Sequence, residues 1–400
     1  MTYELLLTPA EICAWSLGAL ALIASLWLLT AYRSRIAGVG AAIRRQTAQA
    51  FNPSPKPEPP AVSIVIVAGD HAEALETLLG KIFGQEYPSP MEVVVVNDGK
   101  SDEIKDVITR IRHLEHRDNL FLTFIPENLR NVSRRKLALT LGVKAAHNPV
   151  IVALTEESKL YSTQWLMRMV QPFMRPEIEV VIGSALPATK FDTGFGRRYR
   201  SFTHGHDAAI WLSSALRGKA WRGHRANMAF RTESFFSSGA MSGALNLRNG
   251  DDDIFISKLA RRDNTEVVCA AQAAVRYAHP TSRQQFRRER PARFFTQRSL
   301  RVPRLFFGAS SLAAWTLLLA SAGAVALGIY LQDWVISGIT AALFILSVVI
   351  LSLTWRSTLK ALRCRPAALG VFPMMLRRPL TNAIHRLRAR RNRKDYYTWA

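Results

Sequence analysis

Cysteine is scarce in this 400-residue chain. Cys13, Cys269 and Cys364 stand far apart with no paired spacing, which excludes a disulfide framework and a zinc knuckle and points to a reducing compartment. Acidic residues are also in short supply, 30 against 53 Lys and Arg, so the formal net charge is +23. No internal repeat is present, and an array of stacked repeats is excluded. At 48% hydrophobic and 21% charged the sequence is too apolar for a disordered chain, and it is long enough for one large domain plus further segments.

The basic charge is concentrated. Arg356 to Ala400 holds twelve Lys or Arg against Asp395 alone, and Thr281 to Arg304 holds eight Arg against Glu289. Three uncharged runs lie beside these blocks: Ile12 to Tyr32, Leu305 to Leu331 and Trp334 to Trp355. Each is long enough to cross a hydrocarbon core of about 30 Å as a helix. A cleaved signal peptide is the alternative for the first run, but Glu4 and Glu11 precede it and Arg33, Arg35, Arg44 and Arg45 follow, the reverse of a signal peptide's charge order. The excess of Arg after the first run, before the second and after the third places those segments on the cytoplasmic side of the cell's inner membrane, with Gln332-Asp333 outside. The basic blocks therefore read as topology signals and contacts to anionic lipid, and nucleic acid is not an expected partner.

The expected organisation is an anchor over residues 1–45 (helix about 12–32), a stiff linker over 46–60 with Pro53, Pro55, Pro57, Pro59 and Pro60, and a cytoplasmic domain over 61–280. An Arg-rich amphipathic segment at 281–304 follows, expected on the membrane surface. Two spans at 305–355 and a basic tail at 356–400 complete it, the tail carrying an interfacial stretch from Pro366 to Leu376. Within the domain, apolar runs at Val62–Val67, Val93–Val96, Phe121–Ile125, Val150–Leu154 and Ile178–Ile182 predict strands buried on both faces. Helical patterns at Ala72–Phe83, Asp102–Leu114, Arg134–Ala146 and Thr163–Phe173 alternate with them, so the fold class is α/β with a mainly parallel sheet plus three transmembrane helices.

Ligands of such sheets bind beyond the carboxyl ends of the strands. Those ends carry Ala68-Gly69-Asp70-His71, Asn97-Asp98-Gly99 and Thr155-Glu156-Glu157-Ser158. A carboxylate at a strand tip accepts hydrogen bonds from a base or ribose, and an acidic tip can hold a divalent ion on a diphosphate; turns and helix starts are the alternative reading of both. Asp251, Asp252 and Asp253 follow Arg248-Asn249-Gly250, where a helix N-terminus is one reading.

Taken in order, Ser63-Ile64-Val65-Ile66, Gln85-Glu86-Tyr87-Pro88, Glu92 to Gly99, Lys136-Leu137-Ala138-Leu139, Trp165, the segment Gly223, Asn227, Ala229, Phe230, Arg231, and Gly250 to Asp253 resemble family-2 glycosyltransferases of the GT-A fold. The resemblance covers about Ala61 to His279, and the helix arrangement matches a membrane-bound branch of that family. It implies an inverting transferase that takes a nucleotide-sugar donor, a divalent metal (Mg or Mn), and a lipid-linked or envelope glycan acceptor. Carried over, Ala68, Asp70, Asp98 and Lys136 bind the nucleotide sugar, and Glu156 with Ser158 takes the place of the metal motif. Asp252, with Asp251 as alternate, is the catalytic base, and Asn227, Arg231 and Asp253 lie on the acceptor side. The sequence departs from the pattern at Ser158 and at Thr281 to Phe295, where Gln284 with Arg287 or Gln285 with Arg288 is not followed by tryptophan. The alternative is a glycosyltransferase-like scaffold or binding subunit of an envelope assembly that has lost its chemistry.

Overall fold

Strand β1, Val62–Ala68, is apolar except at Ser63 and has no exposed residue, so its neighbours must cover both faces. The computed structural model, which describes residues 8–52, 56–98, 102–126, 131–188, 196–277, 283–364 and 370–398, shows how. The strands that follow are β2 (Met91–Asn97), β3 (Leu120–Phe124), β4 (Val150–Thr155), β5 (Val180–Gly183), β6 (Ala185–Pro187), β7 (Met228–Arg231), β8 (Thr265–Val268) and β9 (Val275–Tyr277). Seven form one sheet in the order β3-β2-β1-β4-β7-β5-β8, and β6 pairs with β9 separately. All pairs in the large sheet are parallel except those of β7, which runs antiparallel between β4 and β5.

The five expected strands all form. β6 to β9 were not foreseen, because each is at most four residues long and carries no alternation that separates it from a loop. The expected helices also form, at Ala72–Phe83, Glu103–Leu114, Arg134–Ala145 and Trp165–Val170. Strand order reverses at β1, with β2 on one side and β4 on the other, so a crevice opens beyond the carboxyl ends of β1 and β4. The helix Arg134–Ala145 is pressed onto this sheet at Gly142, where a Cβ would collide with Val65 and lie 2.8 Å from Val96 Cγ2. That close approach fixes where the helix's first turn, Arg134-Arg135-Lys136, meets the crevice.

The chain divides into two compact units. One, Met1–Gly40 with Pro303–Ala383, contains three helices long and apolar enough to cross a membrane: the first part of Pro9–Ala48, then Arg304–Tyr330 and Trp334–Ala361. Their mutual contacts use small residues: Ala14, Ala21, Ala24, Ala314, Ala320 and Ala324 are buried, while Ile12, Ile23, Leu312, Leu319 and Ile345 are exposed. Small buried residues let helix backbones approach in lipid, where no hydrophobic force holds them together. Polar links cross the same faces, with Ser25 and Ser347 hydroxyls 2.7 Å apart, Arg33 Nε donating to Thr354 Oγ1 at 3.0 Å and Thr358 Oγ1 to the Ile36 carbonyl at 3.1 Å.

The second unit, Ala41–Val302 with Ile384–Ala400, contains the sheet. Two expectations need correction here. The first helix does not end near residue 32 but continues to Ala48, because Arg, Ala and Gln are good helix formers and a charge does not break a helix. Nor does the stiff linker begin at residue 46. Gln46 accepts from the amides of Cys269 (2.7 Å) and Ala270 (3.1 Å) and donates to the Val267 carbonyl (2.9 Å), and Thr47 accepts from Ala271, so the helix end is fastened to the end of β8.

Candidate active site

Two cavities meet at the crevice. The inner one, about 530 Å³, is floored by the carboxyl ends of β1 and β4 through Val67, Gly69, Ala153, Leu154 and Thr155. The outer one, about 1010 Å³, is lined by the Arg134 helix, the segment Arg248 to Asp253, the helix Arg283–Thr296 and the C-terminal segment. Asp98, Arg135, His224, Arg225, Asp251, Glu289 and Arg293 line both, so the two are one continuous site.

Asp98 stands where the end of β2 directs it, half-buried at the junction. Arg134 Nε donates to its Oδ1 at 2.7 Å and Arg134 Nη2 to its carbonyl at 3.1 Å. Gly250, with φ of +95°, turns the chain just before the acidic cluster. The three aspartates then take different environments. Asp251 is buried with Arg225 Nη1 3.5 Å from its Oδ2, and Asp253 is buried with Arg222 Nε 3.0 Å from its Oδ1. Burial pushes the Asp253 carboxyl up to about 7, against the pull of Arg222. Asp252 is the least buried, faces the outer cavity, caps the Asp253–Leu259 helix through Asp253 N (2.8 Å) and lies 3.4 Å from Arg225 N. All three line the outer cavity, and Asp252 is the one that is not buried.

Several expected site residues stand elsewhere. Lys136 is fully buried, and its ammonium donates to the carbonyls of Ala244 (2.8 Å), Leu247 (2.7 Å) and Asn249 (2.9 Å), the loop that leads into Asp251. Burial pulls its pKa down to about 8. Lys136 thus holds the acidic loop and does not face a nucleotide. Ala68 is buried, its carbonyl accepting from Asp98 N at 2.7 Å, and Asp70 is exposed outside both cavities; their neighbours Gly69 and His71 line the inner one. Asn227 is fully buried and structural: its amide donates to the Ser184 and Ala273 carbonyls and its oxygen accepts from Trp165 Nε1 at 3.0 Å. Arg231 pairs with Val150 at the opposite end of β4, and its guanidinium caps the carbonyls of Ile178, Phe173 and Arg175.

The acidic tip also reads differently. Glu156 Oε2 accepts from the amides of Gly69 at 2.6 Å and His71 at 3.4 Å, and burial raises its pKa. Ser158 Oγ lies 3.2 Å from Thr155 N and 3.1 Å from Thr155 Oγ1, closing its own turn. Among the described residues no group of three His, Cys, Asp or Glu side chains is placed to hold a metal ion. Glu156 clasps two turns together, Ser158 closes one of them, and the pair does not fit a divalent ion. Positive charge at the junction comes instead from guanidinium groups: Arg135, whose pKa is lowered by Arg225 beside it, Arg225 itself, and Arg293.

Sequence reasoning missed this cluster. The helix Arg283–Thr296, expected on the membrane surface, is a wall of the site: Phe286, Arg290, Phe295 and Thr296 are buried, and Arg290 pairs with Asp207 on the helix Arg197–Ala215. The signal was the spacing of Phe286 and Phe295, which fall on about opposite sides of the helix and cannot share one lipid-facing stripe. Of the expected Gln-x-x-Arg positions, the side chains of Gln284, Gln285 and Arg288 lie outside the described residues; Arg287 lines the outer cavity. His224, stacked on Tyr277 with ring centroids 4.3 Å apart, was also overlooked; burial holds its pKa well below the usual value, so it is neutral. The tail was the largest omission. Arg388, Asn392, Asp395, Tyr396 and Thr398 all line the outer cavity.

Residues 63–242 match the model of Glycosyl transferase family 2. Among solved structures, a mannosyltransferase from Pyrobaculum calidifontis in complex with GDP-Man and Mn2+ is similar over 92% of this chain and 99% of its own, with a TM-score of 0.50 and 17% identity. A mannosyl-3-phosphoglycerate synthase from Rubrobacter xylanophilus matches over 60% of this chain and 72% of its own, with a TM-score of 0.39 and 12% identity. A glucosyl-3-phosphoglycerate synthase from Mycobacterium tuberculosis matches over 61% and 81%, with a TM-score of 0.40 and 12% identity. No curated protein matches the sequence. The sheet is that of GT-A glycosyltransferases, joined to three helices fit to cross a membrane.

Proposed function

We propose that this chain is a membrane-bound glycosyltransferase that moves a sugar from a nucleotide donor to a lipid-linked or envelope glycan acceptor at the cytoplasmic face of the inner membrane. The observation that carries the reading is the continuity of the two cavities, with Asp98 at their junction and Asp252 on the outer one. The inner cavity takes the nucleoside diphosphate between β1 and β4, with Asp98 accepting hydrogen bonds from it, and the outer cavity takes the acceptor.

The chemistry follows from that placement. Asp252 accepts the proton of the acceptor hydroxyl as it attacks the anomeric carbon, while the bond to the diphosphate breaks. One base and a direct displacement give inversion. Arg135, Arg225 and Arg293 offset the charge that develops on the departing diphosphate, acting in a site where buried walls strengthen such interactions. Anionic lipid attracts the basic blocks flanking the membrane helices and keeps the site at the surface where a lipid-linked acceptor lies.

A thermal-shift series on the detergent-solubilised full chain with UDP, GDP, CDP and ADP tests the reading, since a ligand of the native state raises its stability. A shift with at least one of them is expected, and sugar transfer into membrane lipid from the matching nucleotide sugar should follow. GDP-mannose, present in the Pyrobaculum neighbour, is a natural first donor. Absence of any shift with all four removes the reading.

A further inference from the structure

The segment just before the acidic cluster is held from two sides. From the sheet side, Lys136 gathers the carbonyls of Ala244, Leu247 and Asn249. From the outside, the C-terminal segment lies along the same loop as a short added strand. Leu247 and Tyr397 form an antiparallel bridge, Arg248 N donates to the Tyr396 carbonyl at 3.0 Å, and Thr398 N donates to the Asn246 carbonyl at 3.0 Å. Side chains reinforce the pairing. Arg248 Nε donates to the Tyr397 carbonyl at 2.9 Å, and Thr398 Oγ1 to the Asn131 carbonyl at 2.7 Å.

Aromatic packing fixes the strap against the helix that walls the site. Phe295 stacks on Tyr396 with centroids 5.0 Å apart and meets Tyr397 edge-on at 5.4 Å. Tyr396 and Thr398 in turn line the outer cavity that Asp98 and Asp252 also face. A tail that served only to bind lipid headgroups would have no need of backbone pairing to this loop.

We infer that residues 394–398 are a positioning element of the transfer site, which fixes the loop carrying Asp252 and closes the acceptor side of the outer cavity. The inference rests on the transferase reading for its catalytic half, but the strap itself is a matter of geometry. Without the strap the loop keeps its Lys136 anchor but loses its outer pairing, and Asp252 then samples positions away from the attacking hydroxyl. Misplacement of about 1 Å costs on the order of a hundredfold in rate.

The test compares the full chain with a version ending at Arg393 and with Thr398→Val, which keeps the volume of Thr398 and removes its hydroxyl. Amide hydrogen exchange at residues 246–249 should speed up about tenfold or more in both variants, with β1 and β4 unchanged. The stabilisation by UDP or GDP should persist, and transfer from UDP-glucose or GDP-mannose into membrane lipid should fall about tenfold to a hundredfold in kcat at unchanged donor KM. Thr398→Ser should restore both readouts. Unchanged exchange at 246–249 in both variants overturns the inference, as does unchanged kcat where the full chain transfers. A full chain that binds no nucleoside diphosphate defeats the transferase reading alone, and the exchange measurement then still decides whether the strap holds the loop.

Discussion

Lys136 Nζ lies 2.9 Å from the carbonyl oxygen of Asn249, and the residues that follow are Gly250 and Asp251. The helix Arg134–Ala145 and the acidic cluster are thereby one mechanical unit, although more than a hundred residues separate them in the chain.

Lys136→Met removes the donor to three buried carbonyls. Each such group left unpaired costs about 1–3 kcal/mol, so the loop loosens and transfer falls by at least tenfold. A pH effect accompanies it. Because burial holds the Lys136 pKa at about 8, the ammonium loses its proton, and the clamp a donor, well below the 10.5 of an ordinary lysine. Activity should therefore decline as pH rises through about 8 and beyond. In Lys136→Arg, which keeps its charge at that pH, a pH–rate profile should lack this decline.

Asp252→Asn keeps the shape and the capping bond to Asp253 but cannot accept a proton. Nucleotide-dependent stabilisation should persist while transfer drops by roughly two to four orders of magnitude. Glu156→Ala fails differently: it releases the amides of Gly69 and His71 at the floor of the inner cavity, so nucleotide binding itself weakens. Thermal shift and labelled-sugar transfer on the same preparations separate the two.

Guanidinium groups at the cavity junction predict that chelation leaves nucleotide binding largely intact. Addition of EDTA should change the UDP- or GDP-dependent melting shift little, whereas Arg225→Gln, which removes a cation shared by both cavities, should abolish most of it. A shift that vanishes on chelation and returns with manganese would contradict this.

Arg231→Ala should act on stability and not on the site. It uncaps three carbonyls at the far end of β4, for a loss of about 1–3 kcal/mol in denaturant unfolding, with donor KM unchanged.

How the residues read before folding explains which of these roles were foreseen. β1, β2 and β4 are continuous Val and Ile runs, and such runs are buried on both faces wherever they occur, so the left half of the sheet was legible. β7 was not: Met228-Ala229-Phe230-Arg231 is too short to show a period, and its antiparallel place between β4 and β5 is a matter of partners distant in sequence. For the same reason Arg231 was assigned to the wrong end. Asp98 and Asp252, which line the cavities, each follow a strong local pattern, a strand end and a glycine turn. Lys136, Glu156 and Asn227 were misread because a polar side chain aimed at backbone atoms has the same letter as one aimed at a ligand. Arg290, which is buried, and Arg293, which lines both cavities, do not stand out in a charge count, where such an arginine and a solvated one weigh the same.

The orientation of the chain is open to a direct measurement. Arg-rich segments follow the first apolar helix and flank the other two, so a reporter that is active only in the cytoplasm, fused after Ala400, should be active, and a cysteine placed at Gln332 should react with an impermeant reagent from outside. The reverse pair of results would place the sheet domain on the other face.

The pairing of Arg248 with Tyr397 also sets a timetable. The two residues are 149 positions apart, and both later apolar helices are made in between. At the usual pace of synthesis, about 5–20 residues per second, the acidic loop waits roughly 7 to 30 seconds for the strand that completes it. A nascent sheet domain emerging from the ribosome thus carries an acidic loop without its outer pairing, and the loop gains it only after translation has passed both later apolar helices.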